Sequence, residues 1–190
     1  MTFEQTIINH IAPTLCGIKP ATMFTLRKDF FIEKEAYLWK EKAKEHKVEL
    51  NFFPTSETLV MFFSYNKSEI SKILNKQNVK EYLKEKNYPI HKNITENINE
   101  LFTRLQTSTT FPHEVGIFLG YPLEDVILFE KNRGKNCKCC GYWKSYTNND
   151  DTKKSLIKFH YCSNICKQWL DEGFSVTQII KKYKLLTNVA

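Results

Sequence analysis

Two apolar runs separated by a short polar segment constrain the fold of this 190-residue chain more than any other feature. Residues 48–53 and 58–65 are rich in Phe, Val and Leu, and the residues between them read PTSE. Two strand-like runs joined by a short turn predict an antiparallel hairpin. Apolar residues at helical spacing flank it, at 3–11, 32–46, 94–105 and 176–183. The sequence therefore predicts an α+β fold, mostly helical with a small antiparallel sheet.

The composition predicts a folded cytoplasmic protein. The chain is 42% hydrophobic and 14% aromatic, which is typical of a globule with a core. It lacks an apolar run of the roughly 20 residues that a membrane span needs. Its first residues, MTFEQTIINHIAP, have neither the basic nor the apolar region of a secretory signal. We therefore expect no membrane association and a location in the cytoplasm.

The net charge of +7 is not of the kind that favours nucleic acid as a partner. The chain has only three arginines, Arg27, Arg104 and Arg133, and its other cationic residues are lysines. Arginine supplies the fork that binds phosphate and guanine, whereas these lysines alternate with glutamate along helices. The charge is interpreted mainly as a solubility feature, and an unidentified protein partner stays open.

The Thr- and Ser-rich segment QTSTT at 106–110 predicts a boundary within the chain. Residues 1–106 would form an N-terminal α+β part, and residues 111–190 a C-terminal helical part with a cysteine cluster. A chain of this length can also fold as one compact domain. Within these parts, Pro13 is expected to end the first helix, because proline lacks the N–H that continues it. Residues 141–146 are expected to form one strand.

Four of the six cysteines predict a metal site in the C-terminal part. Cys137 and Cys140 are three residues apart, and Cys162 and Cys166 are four apart in a long helix that is expected to run toward Leu170. The pairs resemble the two knuckles of a treble-clef zinc finger, in which four thiolates hold zinc as a closed structural site. Zinc is the favoured ion, with iron or an iron–sulfur cluster less favoured.

Two other interpretations of these cysteines remain. In the first, Ile157, Tyr161, Ile165 and Trp169 form the buried stripe of a continuous helix, and the cysteines beside it are small buried apolar residues. In the second, Cys137 or Cys139 pairs with Cys140 in thiol–disulfide exchange, which requires a lowered pKa at one thiol. No thioredoxin-like strand precedes the motif, so exchange ranks behind metal binding.

The segment PHEVGIFLGYPLEDV predicts two short helices that meet at Gly120. The corner is similar to a helix-turn-helix, but its second helix carries Glu124 and Asp125, where a DNA-reading helix needs donors. A structural corner is favoured, and a protein- or nucleic-acid-interaction module remains an alternative. His113 and Glu114 open the first helix either as capping residues or as part of a site.

An enzyme or cofactor-binding protein is the further alternative. Its pocket would be lined by four acid–base residues, and these catalytic candidates are His113, Glu114, His10 and Asp125. His113 would transfer a proton or bind a cofactor, and a carboxylate would orient it. The chain has no phosphate-binding glycine loop, nucleophile elbow or HExxH motif, so the common hydrolase and nucleotide-binding classes are not supported.

Three segments, IINHIAPTLCGIKPATMF, FPHEVGIFLGYPLEDV and CCGYWKSY, resemble a family of unknown function from low-GC Gram-positive, largely anaerobic bacteria. The resemblance covers nearly the whole chain and implies a single family domain without an assigned activity. It also implies that a cysteine is often absent at the position of Cys137 and not constant at that of Cys166. The motif positions in this chain are His10, Pro13, Lys19, Pro20, His113, Glu114, Gly120, Tyr121, Pro122, Asp125, Gly141, Tyr142 and Trp143.

Overall fold

The computed structural model of the chain describes residues 2–141, 143–147 and 150–188. Within them, helices predominate over two small antiparallel sheets, which confirms the predicted α+β class. In chain order the elements are α1 (Phe3–Leu15), β1 (Ala21–Arg27), a 3-10 turn (Lys28–Phe30), α2 (Glu33–Glu45), β2 (Glu49–Pro54), β3 (Leu59–Tyr65), α3 (Lys67–Leu74), α4 (Gln77–Glu85), α5 (Ile94–Thr107), α6 (Val115–Phe118), α7 (Leu123–Lys131), β4 (Cys139–Cys140), β5 (Lys144–Ser145), α8 (Asp150–Asp171) and α9 (Val176–Asn188).

The chain forms two compact units. The first combines Met1–Asn66 with Lys154–Ala190, and the second is Lys67–Lys153. The segment 106–110 lies inside the second unit, and the boundary that its composition predicts stays a prediction. Across the described ranges, none of the helices has both the length and the apolar character needed to cross a membrane.

The three-stranded sheet of the first unit has the order β1-β3-β2, with both neighbours antiparallel to β3. The predicted hairpin is therefore confirmed as β2–β3. Phe62 in the central strand pairs with Phe24 on one side and Phe52 on the other. The ring of Phe62 stacks on Phe24, with centroids 5.0 Å apart, and this row of aromatics anchors the core between the sheet and the helices.

Helix α1 continues past Pro13 to Leu15, so the expectation that proline ends the helix is wrong. Pro13 occupies the last turn, where its missing N–H removes one hydrogen bond and leaves the others intact. The residue that stops the helix is instead Gly17, which follows the C-cap and adopts the left-handed φ of 77°. The Gly17 N–H bonds to Thr14 O, and the Ile18 N–H bonds to Pro13 O, as in a Schellman motif. This ending fixes Cys16 at the C-cap of α1.

In the second unit, α6 and α7 form the predicted corner. Gly120 provides the turn with a φ of 85°. Gly116 permits the close approach of the two helices, because a Cβ there would lie only 2.8 Å from a methyl group of Val126. The corner is therefore held by packing between small and branched residues.

The cysteine hairpin, residues 137–145, corrects the expectation of one strand over 141–146. Strands β4 and β5 pair antiparallel, with Cys139 opposite Ser145 and Cys140 opposite Lys144. The Gly141 N–H bonds to Trp143 O, so the chain reverses where a continuous strand was expected. The apolar and aromatic residues there do not alternate over a long enough run to define an extended strand.

Candidate metal centre

Three buried thiols lie together in the first unit. Cys16 ends α1, and Cys162 and Cys166 lie one turn apart on the same face of α8. The Sγ of Cys166 is 3.9 Å from that of Cys16 and 4.0 Å from that of Cys162. All three sulfurs lie within 4.8 Å of one another. We call Cys16, Cys162 and Cys166 the thiol cluster.

The thiol cluster belongs to the hydrophobic core. The exposed fraction is 5% for Cys16 and 0% for Cys162 and Cys166. Their neighbours in this core include residues of α1, α8 and α9, among them Ile11, Trp169 and Tyr183. The cluster is thus enclosed by packed helices.

The expected buried stripe of α8 is partly wrong. Ile157 is 70% exposed and Tyr161 is 51% exposed, whereas Trp169 is buried. The buried face instead contains Phe159, Cys162 and Cys166, all on one side of the helix. The cysteines are themselves members of the core and do not merely flank it.

The three thiols of the cluster interact through hydrogen bonds between their sulfurs. Hydrogen bonds from Cys16 and Cys166 lower the pKa of Cys162 to about 5, despite the opposite effect of burial. The hydrogen bond between Cys16 and Cys162 raises the pKa of Cys16. Tyr183 also donates to Cys162, and burial is the first cause that raises the pKa of this phenol. The hydrogen bonds around Cys162 therefore favour its thiolate form.

The spacing of the sulfurs suits a single metal ion. Zinc binds thiolates at about 2.3 Å, so two sulfurs of a tetrahedral site lie about 3.8 Å apart. The two shortest separations in the cluster, 3.9 and 4.0 Å, are close to that value. A [4Fe–4S] cluster needs wider spacing, because each of its thiolates binds a different iron atom. Among the described residues, no fourth His, Cys, Asp or Glu ligand joins the three.

The structure distributes the four predicted metal ligands over both units. Cys162 and Cys166 lie in the thiol cluster of the first unit, where their neighbouring sulfur is Cys16. Cys137 and Cys140 lie in the second unit and are joined by a disulfide, beside the free thiol of Cys139. The site of four cysteines stays a prediction.

His10 lies on α1 in the first unit, half-buried against the sheet. Its ring stacks on Phe24 with the centroids 4.1 Å apart. Burial and, secondarily, the charge of Lys19 lower the pKa of His10. Lys19 is itself buried, which lowers its pKa to about 8, and its ammonium lies 5.7 Å from the ring of Phe159. These contacts describe a packed imidazole beside a buried amine.

Glu114 is buried in the second unit and bound by two partners. Arg104 donates to its Oε1 at 3.0 Å, and the Tyr88 hydroxyl donates to the same oxygen at 3.3 Å. Arg104 also bonds to Glu100 and to the carbonyl of Lys86, so its guanidinium ties three segments together. The Glu114 side chain makes no capping bond to the helix that follows it. Its role in the fold is that of a buried ion-pair partner.

His113 is the exposed member of the same motif. Its ring lies between Phe111 and Phe129, with centroid separations of 5.8 and 5.0 Å. It lines a surface pocket of the second unit together with Lys86, Arg104, Glu114 and Glu130. Lys86 and Glu130 are paired with each other across this pocket, at 2.9 Å. The catalytic role suggested for His113 stays a prediction.

Asp125 is buried and saturated with hydrogen bonds. Its Oδ1 accepts from the backbone N–H groups of Tyr146 and Thr147, at 2.8 and 3.1 Å. Its Oδ2 accepts from the Trp143 indole at 3.0 Å. Burial alone would raise the pKa of Asp125, but these bonds outweigh it and the pKa is lowered. Asp125 therefore fastens α7 to the cysteine hairpin.

Aromatic stacking completes this connection. The rings of Tyr121 and Trp143 stack at 4.8 Å, so the second and third family segments meet in one structural junction. Tyr142, another motif position, lies outside the described residues. The contacts made by Tyr121, Asp125 and Trp143 explain their residue types by folding requirements alone.

Cys16 is the member of the thiol cluster that sequence reasoning missed. It lies 150 residues from Cys166 and has no second cysteine at ligand spacing. A signal for it exists in the segment IINHIAPTLCGIKPATMF, where Cys16 stands directly before the glycine that ends α1. A cysteine fixed at a helix end is a good position for a ligand, because the backbone there is rigid.

The chain belongs to the family described as protein of unknown function (DUF3793), whose sequence profile matches residues 7–180. The resemblance inferred from the three segments is thereby confirmed at the level of the family. No curated protein and no solved structure matches the chain.

Proposed function

We propose that this protein binds one zinc ion through the thiol cluster and that the ion has a structural role in the first unit. The observation that carries the proposal is the convergence of three buried sulfurs. The Sγ of Cys166 lies 3.9 Å from that of Cys16 and 4.0 Å from that of Cys162. A single zinc ion would require a comparable spacing. Iron is the less favoured ion for the same ligands.

The role is structural because the ligands are enclosed. A catalytic zinc ion needs a path by which substrate reaches its open coordination position. Two of the three cysteines have no exposed surface, and the third is almost as deeply buried. Bound metal would instead cross-link the end of α1 to α8, two segments that are remote in the sequence.

The environment of the cluster favours binding of a cation. Hydrogen bonds lower the pKa of Cys162, so this ligand has little or no proton to release when a metal binds near neutral pH. The two remaining protons would be released on binding, which makes the affinity increase with pH. A reducing cytoplasmic location is part of the proposal, because it keeps the three thiols available as ligands.

Metal analysis of protein purified without added metal tests the proposal. We expect about one zinc ion per chain, and we expect its loss in Cys16→Ser, Cys162→Ser and Cys166→Ser. The matched control is Cys139→Ser, which removes a thiol outside the cluster. Cobalt substitution provides a second readout, since thiolate ligands give charge-transfer bands that a folded variant without the site lacks.

The same set of variants separates this proposal from the site of four cysteines. The double variant Cys137→Ser/Cys140→Ser should keep its zinc if the thiol cluster is the site. Loss of zinc in that variant, with retention in Cys16→Ser, would support the four-cysteine site and refute the proposal. Protein that contains no metal and does not bind added zinc would refute both.

A further inference from the structure

The cysteine hairpin contains a second group of sulfurs, separate from the proposed zinc site. A disulfide joins Cys137 to Cys140. Cys140 is exposed, and Cys139 is a partly exposed free thiol. In the reducing cytoplasmic location proposed above, on which this step rests, disulfides are rare and are usually transient or redox-active. We infer that Cys137 and Cys140 form a reversible dithiol–disulfide couple, which exchanges electrons with a small thiol that carries carboxylates.

The charge of the hairpin selects the class of thiol. Residues 131–147 contain no Asp or Glu, and their cations are Lys131, Arg133, Lys135, Lys138 and Lys144. Lys144 donates to the carbonyl of Gly134 at 2.8 Å, which holds one positive charge beside the hairpin. Lys135 and Lys138 are exposed, and no carboxylate in the described part of the chain forms an ion pair with them. This field attracts anionic reactants and stabilises thiolates.

The exchange is a two-electron reaction between sulfurs. The thiolate of the small molecule attacks Sγ of Cys140, the more exposed sulfur, and the bond to Cys137 breaks. Cys137 leaves as a thiolate and takes a proton from water. A second small thiol then attacks the mixed disulfide, which releases Cys140 as a thiol and the oxidised small molecule as its disulfide. The protein gains two electrons and two protons, and the reverse reaction restores the disulfide.

The disulfide lies beside hydrogen bonds that hold the cysteine hairpin, so its oxidation or reduction should affect the hairpin. The N–H of Lys138, the residue after Cys137, bonds to the carbonyl of Ser145 at 2.8 Å. Ser145 is the last residue of β5 and directly precedes Tyr146. Trp143, in the same hairpin, binds Asp125 through its indole N–H. Opening of the disulfide removes a covalent restraint beside these bonds. The tryptophan fluorescence, to which Trp143 contributes together with Trp39 and Trp169, therefore provides a conformational readout of the redox state.

Equilibration of the reduced protein with mixtures of reduced and oxidised glutathione tests the couple. We expect one disulfide, located by peptide mapping between Cys137 and Cys140, that forms and opens as the ratio is changed. Cys139→Ser should behave like the original protein, whereas Cys137→Ser and Cys140→Ser should form no internal disulfide. The inference is overturned if no disulfide forms at any ratio, if Cys139 is the partner, or if zinc held by Cys137 and Cys140 prevents oxidation.

Neutralisation of two lysines beside the disulfide tests the class of thiol. The double variant Lys135→Gln/Lys138→Gln should be reduced by glutathione roughly three- to tenfold more slowly at low ionic strength. Its reduction by neutral 2-mercaptoethanol should not change. The matched control, Lys76→Gln/Lys84→Gln, removes two exposed lysines of the same unit and should leave both rates unchanged. Equal slowing with both thiols would contradict the electrostatic selection.

Discussion

The thiol cluster lies in the core of the first unit, whereas the sulfurs of the cysteine hairpin lie at or near the surface of the second. The cluster is assembled from two helices that are far apart in the sequence, whereas the sulfurs of the hairpin come from the four consecutive residues 137–140. Burial excludes small reactants from the first group and favours coordination of an ion. Exposure and positive charge favour exchange at the second.

The spacing of cysteines in sequence and the accessibility of their sulfurs in the fold are different properties. The pair at 137 and 140 has the sharper sequence motif, but the better enclosed candidate ligands are those that the fold brings together. Surroundings therefore decide the chemistry of a thiol at least as much as its neighbours in sequence do.

The largest expected difference between the two groups is in alkylation. After mild reduction of the folded protein, iodoacetamide should modify Cys139 and Cys140 directly. The thiol cluster should react about 4,000-fold more slowly, because its labelling requires opening of a core stabilised by about 5 kcal/mol. A time course by mass spectrometry measures both groups at once. Rapid labelling of Cys162 in the folded state would reveal a route for solvent and contradict a closed site.

The next effect is the dependence of stability on zinc. With free zinc at about a hundred times its dissociation constant, binding adds about 2.7 kcal/mol to the free energy of unfolding. Cys162→Ser should lose this increment, and Cys139→Ser should keep it. Urea unfolding with and without a chelator measures the increment. An equal response of the two variants to the chelator would place the metal elsewhere.

Substitution at Asp125 tests how the cysteine hairpin is held. In Asp125→Asn, an NH2 group replaces one carboxylate oxygen and faces N–H donors that the carboxylate accepts from in the original protein. The free energy of unfolding of the second unit should fall by about 2 kcal/mol. Unfolding followed by Trp143 fluorescence measures the change. Glu124→Gln is the control, because Glu124 is exposed on the same helix.

The same carboxylate gives the second unit a pH dependence in acid. The pKa of folded Asp125 is lowered, so its stabilising effect is complete above the unfolded pKa of about 3.9. The effect is lost as the pH falls from there through the lower folded pKa. This decrease should be smaller in Asp125→Asn than in Glu124→Gln. An identical acid response of the two variants would show that other groups control it.

The smallest expected effect is at Tyr183, which donates a hydrogen bond to Cys162. Tyr183→Phe keeps the ring and removes the donor, so the free energy of unfolding should fall by about 1 kcal/mol. Zinc stoichiometry should stay at the value of the unmodified protein. Complete loss of zinc would instead identify the phenol as a ligand.

Most of the fold could be predicted from sequence because its determinants are local. The β2–β3 hairpin and helix α2 follow their apolar spacing closely. The errors also have local causes. Pro13 was given too much weight, since its cost in the last turn is one hydrogen bond and Gly17 provides the stronger stop. The turn within 141–146 depends on pairing between two very short strands, which periodicity does not record.

The candidate site was only half predictable. Cys162 and Cys166 share a helix face, so their proximity follows from helical geometry. Their meeting with Cys16 depends on tertiary packing of α1 against the last helices, and no local pattern encodes it. The His113 and Glu114 pair shows the converse. Adjacent in sequence, the two side chains have separate surroundings, one exposed between aromatic rings and one buried on Arg104.

The separation between Cys16 and Cys166 has a consequence for biosynthesis. The two cysteines are 150 residues apart, and the whole second unit is synthesised between them. At a translation rate of about 5–20 residues per second, Cys16 emerges from the ribosome roughly 8 to 30 s before Cys166. The three sulfurs can therefore meet only after the whole second unit has been synthesised, so the proposed ion could not be held by all three thiols before that point.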